Sequence, residues 1–505
     1  MPTYKVKVKW GKEHYPDVEV NTDEDPLVFK AQLFALTGVQ PERQKVMLKG
    51  TTLKDTDWGN IKLKDGVTIL MMGSKEEDVP KEPTEKPLFV EDMNESELAT
   101  ALDLPAGLTN LGNTCYMNAT VQCLKTVPEL REALRSFQGG VTMAGGMVPA
   151  QSITAALRDL YDSMDKGASI PPIILLQVLH MAFPRFAEKS EHGGFTQQDA
   201  NECWTELIRM LQQKLPPKLL DGETVSKFKS MIDQYFGGTF DVELKCVEAE
   251  DEPPSHSKEN FLQLSCFISQ DVRYMLSGLR SKMQEQLTKQ SPTLERDAVY
   301  TKTSKISRLP AYLTIQFVRF YYKEKESINA KILKDVKFPL EFDAFELCST
   351  ELQQKLTPMR TRFKEYEDKR VEEAQKQQDK KEKGDGNSKT KTKQLPFSFE
   401  NDSGSNNSGY YTLQAVLTHR GRSSSSGHYV AWVRQKGDVW LKCDDDQVSP
   451  VTSEDVLKLS GGGDWHCAYV LLYGPRILEI PEGEEVKEEV TVQSPMDTSS
   501  ASPAQ

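Results

Sequence analysis

The sequence predicts an α+β protein built as a small head and a large body, and three observations carry that reading. The first 74 residues set strand alternation on both sides of one amphipathic helix. Residues 104–478 show helical periodicity in their first half and period-two alternation in their second. Between them, 75–103 reads as a flexible linker, because 75–97 is rich in Lys, Glu, Pro and Asp with little apolar content. At 505 residues there is ample chain for one large core and a small module.

In the head, residues 3–10, TYKVKVKW, alternate like a half-buried strand, and a second strand near His14 to Val20 follows Gly11. Asp25 or Asn21 can open a helix with Val28, Phe29, Leu33 and Leu36 on one face, stopping at Gly38. Lys45 to Leu48 and Val67 to Met71 read as further strands. This ββαβ…β order resembles ubiquitin and its β-grasp fold. The head runs Met71-Met72-Gly73-Ser74-Lys75 where ubiquitin ends in Gly-Gly. The resemblance therefore implies a docking module that cannot itself be conjugated. Aligning Lys45-Val46-Met47-Leu48 with ubiquitin's patch-bearing strand puts Met47 and Leu70 on a binding face. The competing reading makes both ordinary core residues, since Met often fills cores.

The body is organised around Gly107 to Leu124, GLTNLGNTCYMNATVQCL. Gly112 and Asn113 break the chain, and Thr114 can cap a helix carrying Tyr116, Ala119, Val121 and Leu124. Cys115 then falls in the first turn, where backbone N–H groups and the positive dipole end favour thiolate. Asn110 can swing its amide toward the same spot as an oxyanion donor. Cys123, by contrast, reads as an ordinary buried cysteine.

Ile153, Leu157, Leu160, Tyr161 and Met164 repeat at helical spacing, and Ile170 to Phe183 is a second apolar helix. Gln197 to Leu211 reads as a helix with Asp199 and Glu202 in its first turn. Gln198 either supports the oxyanion pocket or caps that helix. Lys214 to Ser230 looks like a variable loop, and Gly237 to Cys246, Phe261 to Ile268 and Tyr312 to Phe320 read as strands. Tyr321 to Val336 is a charged insert. Residues 366–394, dominated by Lys, Glu, Gln and Asp, read as either a solvated helix or disorder, and disorder is the expectation. Ser460 to Asp464, SGGGD, lacks the Gly-Lys-Ser/Thr ending of a phosphate loop and reads as a turn. From 479 the chain is acidic and then Ser/Thr/Pro-rich. Seven acidic residues face one lysine there, half the formal charge of −12 in an expected disordered tail.

The partner for Cys115 comes from Ser423 to Asp446, SSSSGHYVAWVRQKGDVWLKCDDD. His428 follows a Gly and opens a strand through Val433. A turn at Lys436-Gly437-Asp438 leads to a second strand ending in Asp444, Asp445 and Asp446. A carboxylate at that open end can fix the imidazole tautomer while the other ring nitrogen takes the thiol proton. The residues alone leave open which of the three aspartates does so.

Together, GLTNLGNTCYMNATVQ, Gln197 to Glu202, LPAYLTIQFVRF (309–320), GHYVAW…W…DDD and AYVLLY (468–473) resemble the ubiquitin-specific proteases. These are papain-like cysteine peptidases with a helical thumb and a β-rich palm and fingers. The resemblance implies that Cys115 is the nucleophile, His428 the base, Asp444 the orienting acid and Asn110 an oxyanion donor. It implies ubiquitin and ubiquitinated proteins as partners, with Gly427 and Tyr429 as walls of a channel for a glycine pair. The ubiquitin-like head makes the layout similar to proteasome-associated members, docked on the 26S regulatory particle. Many members carry two CxxC pairs as a zinc ribbon; none of the eight cysteines here forms such a pair, so no structural zinc and no cofactor is expected.

Bulk properties limit the alternatives. The charge of −12 and pI near 5.3 argue against nucleic acid as main partner. No apolar run reaches about 18 residues, so no membrane span is expected. The cysteines, without a signal peptide, suggest reduced thiols in a cytosolic or nuclear setting. A monomer when free is expected. A non-cleaving ubiquitin-sensing scaffold has no reason to keep Cys, His and Asp together, whereas a protease for another ubiquitin-like modifier fits the chemistry equally well. Finally, Arg420-Gly-Arg422-Ser-Ser-Ser425 has the Arg-x-Arg-x-x-Ser spacing that basophilic kinases read. Ser425, three residues from His428, is either a phosphorylation switch on a loop over the groove or part of a plain polar hairpin.

Overall fold

The structure, a computed structural model, describes residues 3–59, 61–74, 104–143, 145–167, 169–219, 225–324, 328–378 and 392–481. The chain divides into two units between residues 94 and 95. The 75–103 linker lies outside the described residues.

In the head, β1 (Thr3–Trp10) and β2 (Glu13–Asn21) form a hairpin, followed by α1 (Pro26–Thr37), β3 (Lys45–Leu48), β4 (Thr51–Thr52) and β5 (Thr68–Met72). The sheet order is β2-β1-β5-β3-β4, with β1 and β5 parallel. Alternation sends Val6, Val8, Val18, Val20, Val46, Ile69 and Met71 into one core. Proline opens α1 after Asp25, and Gly38 (φ 76°) ends it with its N–H on the Phe34 carbonyl. Only Phe29 and Leu33 of the expected helix face are buried. Val28 and Leu36 are exposed, because they lie to either side of the i, i+4 stripe that meets the sheet. Met47 and Leu70 pair directly across β3 and β5, half-buried, on the opposite side from the core. They are not core residues.

The body begins with a helical lobe: β6 (Gly107–Leu108), α2 (Cys115–Leu124), α3 (Pro128–Ser136), α4 (Pro149–Met164), β7 (Ser169–Ile170), α5 (Ile173–Ala182), α6 (Ala200–Lys214) and α7 (Met231–Tyr235). The stripe predicted from Ile153 to Met164 is buried throughout. Two helix starts move. Ile170 pairs in β7 and α5 begins at Ile173, since Pro171-Pro172 disfavours helix in the residues before them. Likewise α6 begins at Ala200, because the Asp199 carboxylate accepts the N–H groups of Asn201 (2.8 Å) and Glu202 (3.1 Å) as its cap. Gln197 and Gln198 therefore precede the helix.

A β lobe follows: β8 (Gly238–Cys246), β9 (Ser255–Phe261), β10 (Leu264–Phe267), α8 (Met275–Met283), β11 (Gln284–Ser291), β12 (Arg296–Arg308), β13 (Leu313–Val318), β14 (Phe320–Lys323), β15 (Ile328–Lys331), β16 (Glu341–Asp343), α9 (Thr350–Gln378), β17 (Thr392–Gln394), β18 (Tyr410–Arg420), β19 (His428–Lys436), β20 (Val439–Asp444), β21 (Gln447–Thr452), β22 (Cys467–Pro475) and β23 (Glu479–Pro481). One sheet runs β11-β12-β8-β9. The larger runs β10-β13-β22-β18-β19-β20-β21, with β16 on β18. Helix α2 lies on β19, so Tyr116 and Val121 share one core with Tyr429, Ala431 and Val433.

Two expectations of disorder are corrected. The 366–394 segment is not wholly disordered: α9 runs through to Gln378, and 392–394 forms β17, with 379–391 outside the described residues. Buried Leu352, Leu356, Met359 and Phe363 nucleate α9, and the charged residues beyond simply propagate it. The tail is ordered three residues further than expected. Glu479–Pro481 pairs with Thr392–Gln394, and Ile480 joins Met359, Phe363, Leu395 and Leu478 in a small core. Residues 482–505 lie outside the described residues.

Candidate active site

Cys115 opens α2 after two left-handed residues, Gly112 (φ 101°) and Asn113 (φ 54°). Thr114 holds the cap position, but its hydroxyl accepts the Leu111 N–H (2.9 Å) instead of capping the helix. The thiol is only 2 % exposed.

His428 reaches it from β19. Gly427, at φ 96°, is required there, because a Cβ would stand 2.0 Å from the Arg420 carbonyl and prevent Arg420 from pairing with His428. The His428 Nε2 meets Asp444 Oδ1 at 2.6 Å, and Cys115 is the second group acting on the ring's charge. Asp444 first, then Cys115, raises the imidazole pKa to about 10. The imidazolium in turn holds the Asp444 carboxyl below the usual carboxylate range, assisted by Lys442 at 3.0 Å.

The three aspartates divide the work. Asp445, at φ 53°, accepts the Asn110 amide (3.0 Å) and the Asn118 amide (2.9 Å) on its two oxygens, and its carbonyl accepts the Leu108 N–H at 2.8 Å. The Asp446 backbone packs so closely on Gly107 that a Cβ there would lie 2.3 Å from its carbonyl oxygen. Asn110 therefore stands with its amide turned to Asp445, while its Oδ1 accepts the N–H groups of Gly112 and Thr114 (2.9 and 3.3 Å).

Of the glutamine pair, Gln198 donates to the Thr196 hydroxyl at 2.9 Å and neither touches the sulfur nor caps α6. Gln197, which sequence reasoning passed over, has its Oε1 3.7 Å from the Cys115 Sγ. No periodicity signals which of two adjacent loop glutamines points inward. Beside the site lies a buried aromatic cluster. Tyr429 packs on His419 and Tyr469 (ring centroids 4.7 and 6.4 Å apart), and Phe320 meets both of those rings edge-on. Asp199, besides capping α6, accepts the Tyr469 hydroxyl at 2.8 Å.

Around the rim, the insert hairpin β14–β15 and the serine loop are joined. The Lys331 N–H donates to the Arg422 carbonyl (2.9 Å) and Ala330 bridges Ser423. Ser425 is exposed, Arg422 pairs with Asp464 (2.7 Å), and Arg420 lies 5.9 Å over Trp465. His428, Asp444 and Asp445 bring three possible metal donors within 4.8 Å of one another. Asp444 is committed to His428 and Asp445 to two asparagines, so the set serves the hydrogen-bond network.

A thiol beside an imidazole that a carboxylate already holds, set between a helical lobe and a β lobe, defines a cysteine peptidase. The family model described as "Ubiquitin carboxyl-terminal hydrolase" matches residues 106–473, and that of the "Ubiquitin family" matches 5–76. The chain belongs to the ubiquitin carboxyl-terminal hydrolases, as a cysteine deubiquitinase with an N-terminal ubiquitin-like domain. It is 43 % identical to ubiquitin carboxyl-terminal hydrolase 14 of Caenorhabditis elegans, over 94 % of each chain. It is 42 % identical to ubiquitin carboxyl-terminal hydrolase 6 of Arabidopsis thaliana (95 % of this chain, 100 % of that one). Identity is 40 % to ubiquitin carboxyl-terminal hydrolase 6 of Schizosaccharomyces pombe (93 % and 98 %).

Because the raised imidazole pKa comes first from Asp444, Asp444→Asn is expected to drop it from about 10 toward the ordinary value near 6.5. A raised histidine pKa stabilises the fold fully below ~6.5 and progressively less as pH climbs toward 10. The parent should therefore lose stability across that window and the variant should not. A ring-proton NMR titration of His428 reads the shift directly; an unchanged midpoint would show that Asp444 does not hold the proton.

Proposed function

We propose that this protein removes ubiquitin from substrates at the proteasome, with Cys115 as nucleophile. The observation that carries the reading is the Cys115–His428–Asp444 alignment. Sγ, its proton already resting on the His428 imidazolium, attacks the carbonyl carbon of ubiquitin's C-terminal glycine, joined to a substrate lysine. Asn110 and the backbone N–H near Cys115 receive the oxyanion, where one such donor is worth ~2.7–4 kcal/mol. His428 returns the proton to the leaving lysine amine, and water hydrolyses the thioester. Gly427 and Tyr429 wall the channel that admits only a glycine pair.

The head supplies the docking. Its Met47–Leu70 pair offers half-exposed apolar surface on a ubiquitin-like sheet, and it binds the proteasome regulatory particle by that face. The expected setting is cytosolic or nuclear, with a free monomer held closed until it docks. Closure comes from the joined insert hairpin and serine loop beside His428. A phosphate on Ser425 would bring about −1.5 to −2 charge to a loop whose Arg422 is already paired with Asp464. Competition for that guanidinium loosens the joint and opens the groove.

Ubiquitin bearing a C-terminal electrophile should form an adduct with the parent and none with Cys115→Ala, which should still bind ubiquitin. An equal adduct with the probe for another modifier would make that modifier's protease the better reading. Removing residues 1–74 should weaken co-sedimentation with proteasomes and spare ubiquitin capture; unchanged co-sedimentation would place docking in the body. Ser425→Glu, carrying part of a phosphate's charge, should raise turnover of a fluorogenic ubiquitin substrate severalfold without proteasome. A rate equal to the parent's would remove the loop as gate.

A further inference from the structure

Gln197 has a hydrogen-bond account that does not close. The side chain is 7 % exposed and its Oε1 lies 3.7 Å from the Cys115 Sγ. Its Nε2 is buried with no partner among the described residues. A dry, unpaired amide donor is destabilising. It is held there by rigid neighbours. Thr196 N–H is tied to the Glu188 carbonyl at 2.9 Å, and Asp199 is fixed as the cap of α6 and by the Tyr469 hydroxyl. The donor is therefore positioned from α6, independently of the loop that carries Asn110, whose own amide is engaged by Asp445.

We propose that Gln197 is a second side-chain oxyanion donor: its Nε2 donates to the oxygen of the tetrahedral adduct formed when Cys115 adds to ubiquitin's last carbonyl. The inference rests on Cys115 being the nucleophile. In the resting state Sγ lies 3.7 Å from Oε1, and Nε2 has no acceptor among the described residues. When Sγ bonds the carbonyl carbon, the carbonyl π pair moves onto oxygen, and His428 holds the proton that the leaving amine will take. An anionic acceptor then appears for Nε2. The carboxamide turns to meet the oxyanion, and the bond exists only once charge has developed. Collapse re-forms the carbonyl, breaks the C–N bond and passes the His428 proton to the amine, which removes the anionic acceptor from Gln197 Nε2.

The test compares two ligands of the full-length protein. Ubiquitin with a C-terminal aldehyde adds to the thiol and places an oxygen where the oxyanion forms; ubiquitin with its native carboxylate does not. Gln197→Met keeps length without polarity, and Gln197→Glu keeps the acceptor without the donor. Both should lower the preference for aldehyde over plain ubiquitin 10- to 100-fold. Both should lower kcat by a similar factor with KM little changed, and Gln197→His, which retains an N–H, should recover part of the loss. A preference and kcat within twofold of the parent in both variants overturns the proposal. So does an equal loss of affinity for both ligands, the mark of a merely structural glutamine. Cys115→Ala separates the two levels of the argument: if it keeps the aldehyde preference, the nucleophile reading itself fails.

Discussion

One carboxylate ties the halves of the site together. Asp445 leaves the end of β20 in a left-handed conformation that a non-glycine residue adopts only when something holds it there. What holds it is a pair of amides from the other lobe, Asn110 and Asn118, with the Leu108 N–H on its carbonyl and Gly107 pressed against the next residue. Its neighbour Asp444 is thereby fixed on His428, while Asn118 belongs to the same helix as Cys115. The spacing between sulfur and imidazole is thus set from both sides of a single turn. A run of three acidic residues that looks redundant in composition divides into a partner for the imidazole, a clamp on the other lobe and a close backbone contact.

How much of this was legible in the sequence depended on whether a signal was periodic. The His428 hairpin announced itself by alternation, and its register agrees with the expected strands to within a few residues. Helix existence was legible too, but starts were not, because Pro171-Pro172 and the Asp199 cap act locally against a pattern read over a dozen residues. Strands β11 and β12 were missed since their few apolar residues, among them Leu287, Ala298 and Tyr300, are diluted by charge on both faces of a largely solvated sheet. In the charged stretch after Tyr366, composition alone does not separate a solvated helix from disorder. Its helix is nucleated upstream, by Leu352 to Phe363. The choice between Gln197 and Gln198 lies beyond any pattern, being settled by the path of a loop.

Around the rim, buried cations do what acidic partners do elsewhere. Arg319 is fully buried and spends its guanidinium on the carbonyls of Ile332, Lys334, Ser460 and Ala468. Lys331, its pKa lowered to about 8 chiefly by burial, donates to the His419 carbonyl. Both anchor the base of the insert hairpin to the central sheet through backbone oxygens. Each of those oxygens would otherwise be stranded in a dry interior. The hairpin's root is therefore tied to the sheet at several backbone carbonyls.

The order of strands in the large sheet bears on when the protein can first act during its own synthesis. Strand β22, residues 467–475, follows every other strand of that sheet along the chain, yet it lies between β13 and β18 near the middle of that sheet. Until it emerges, β13 and β18 present two unpaired edges, and the β-strand bearing His428 hangs from a half-built platform. Cys115 is by then long since made. A nascent chain therefore carries its thiol well before the sheet beneath its imidazole can close.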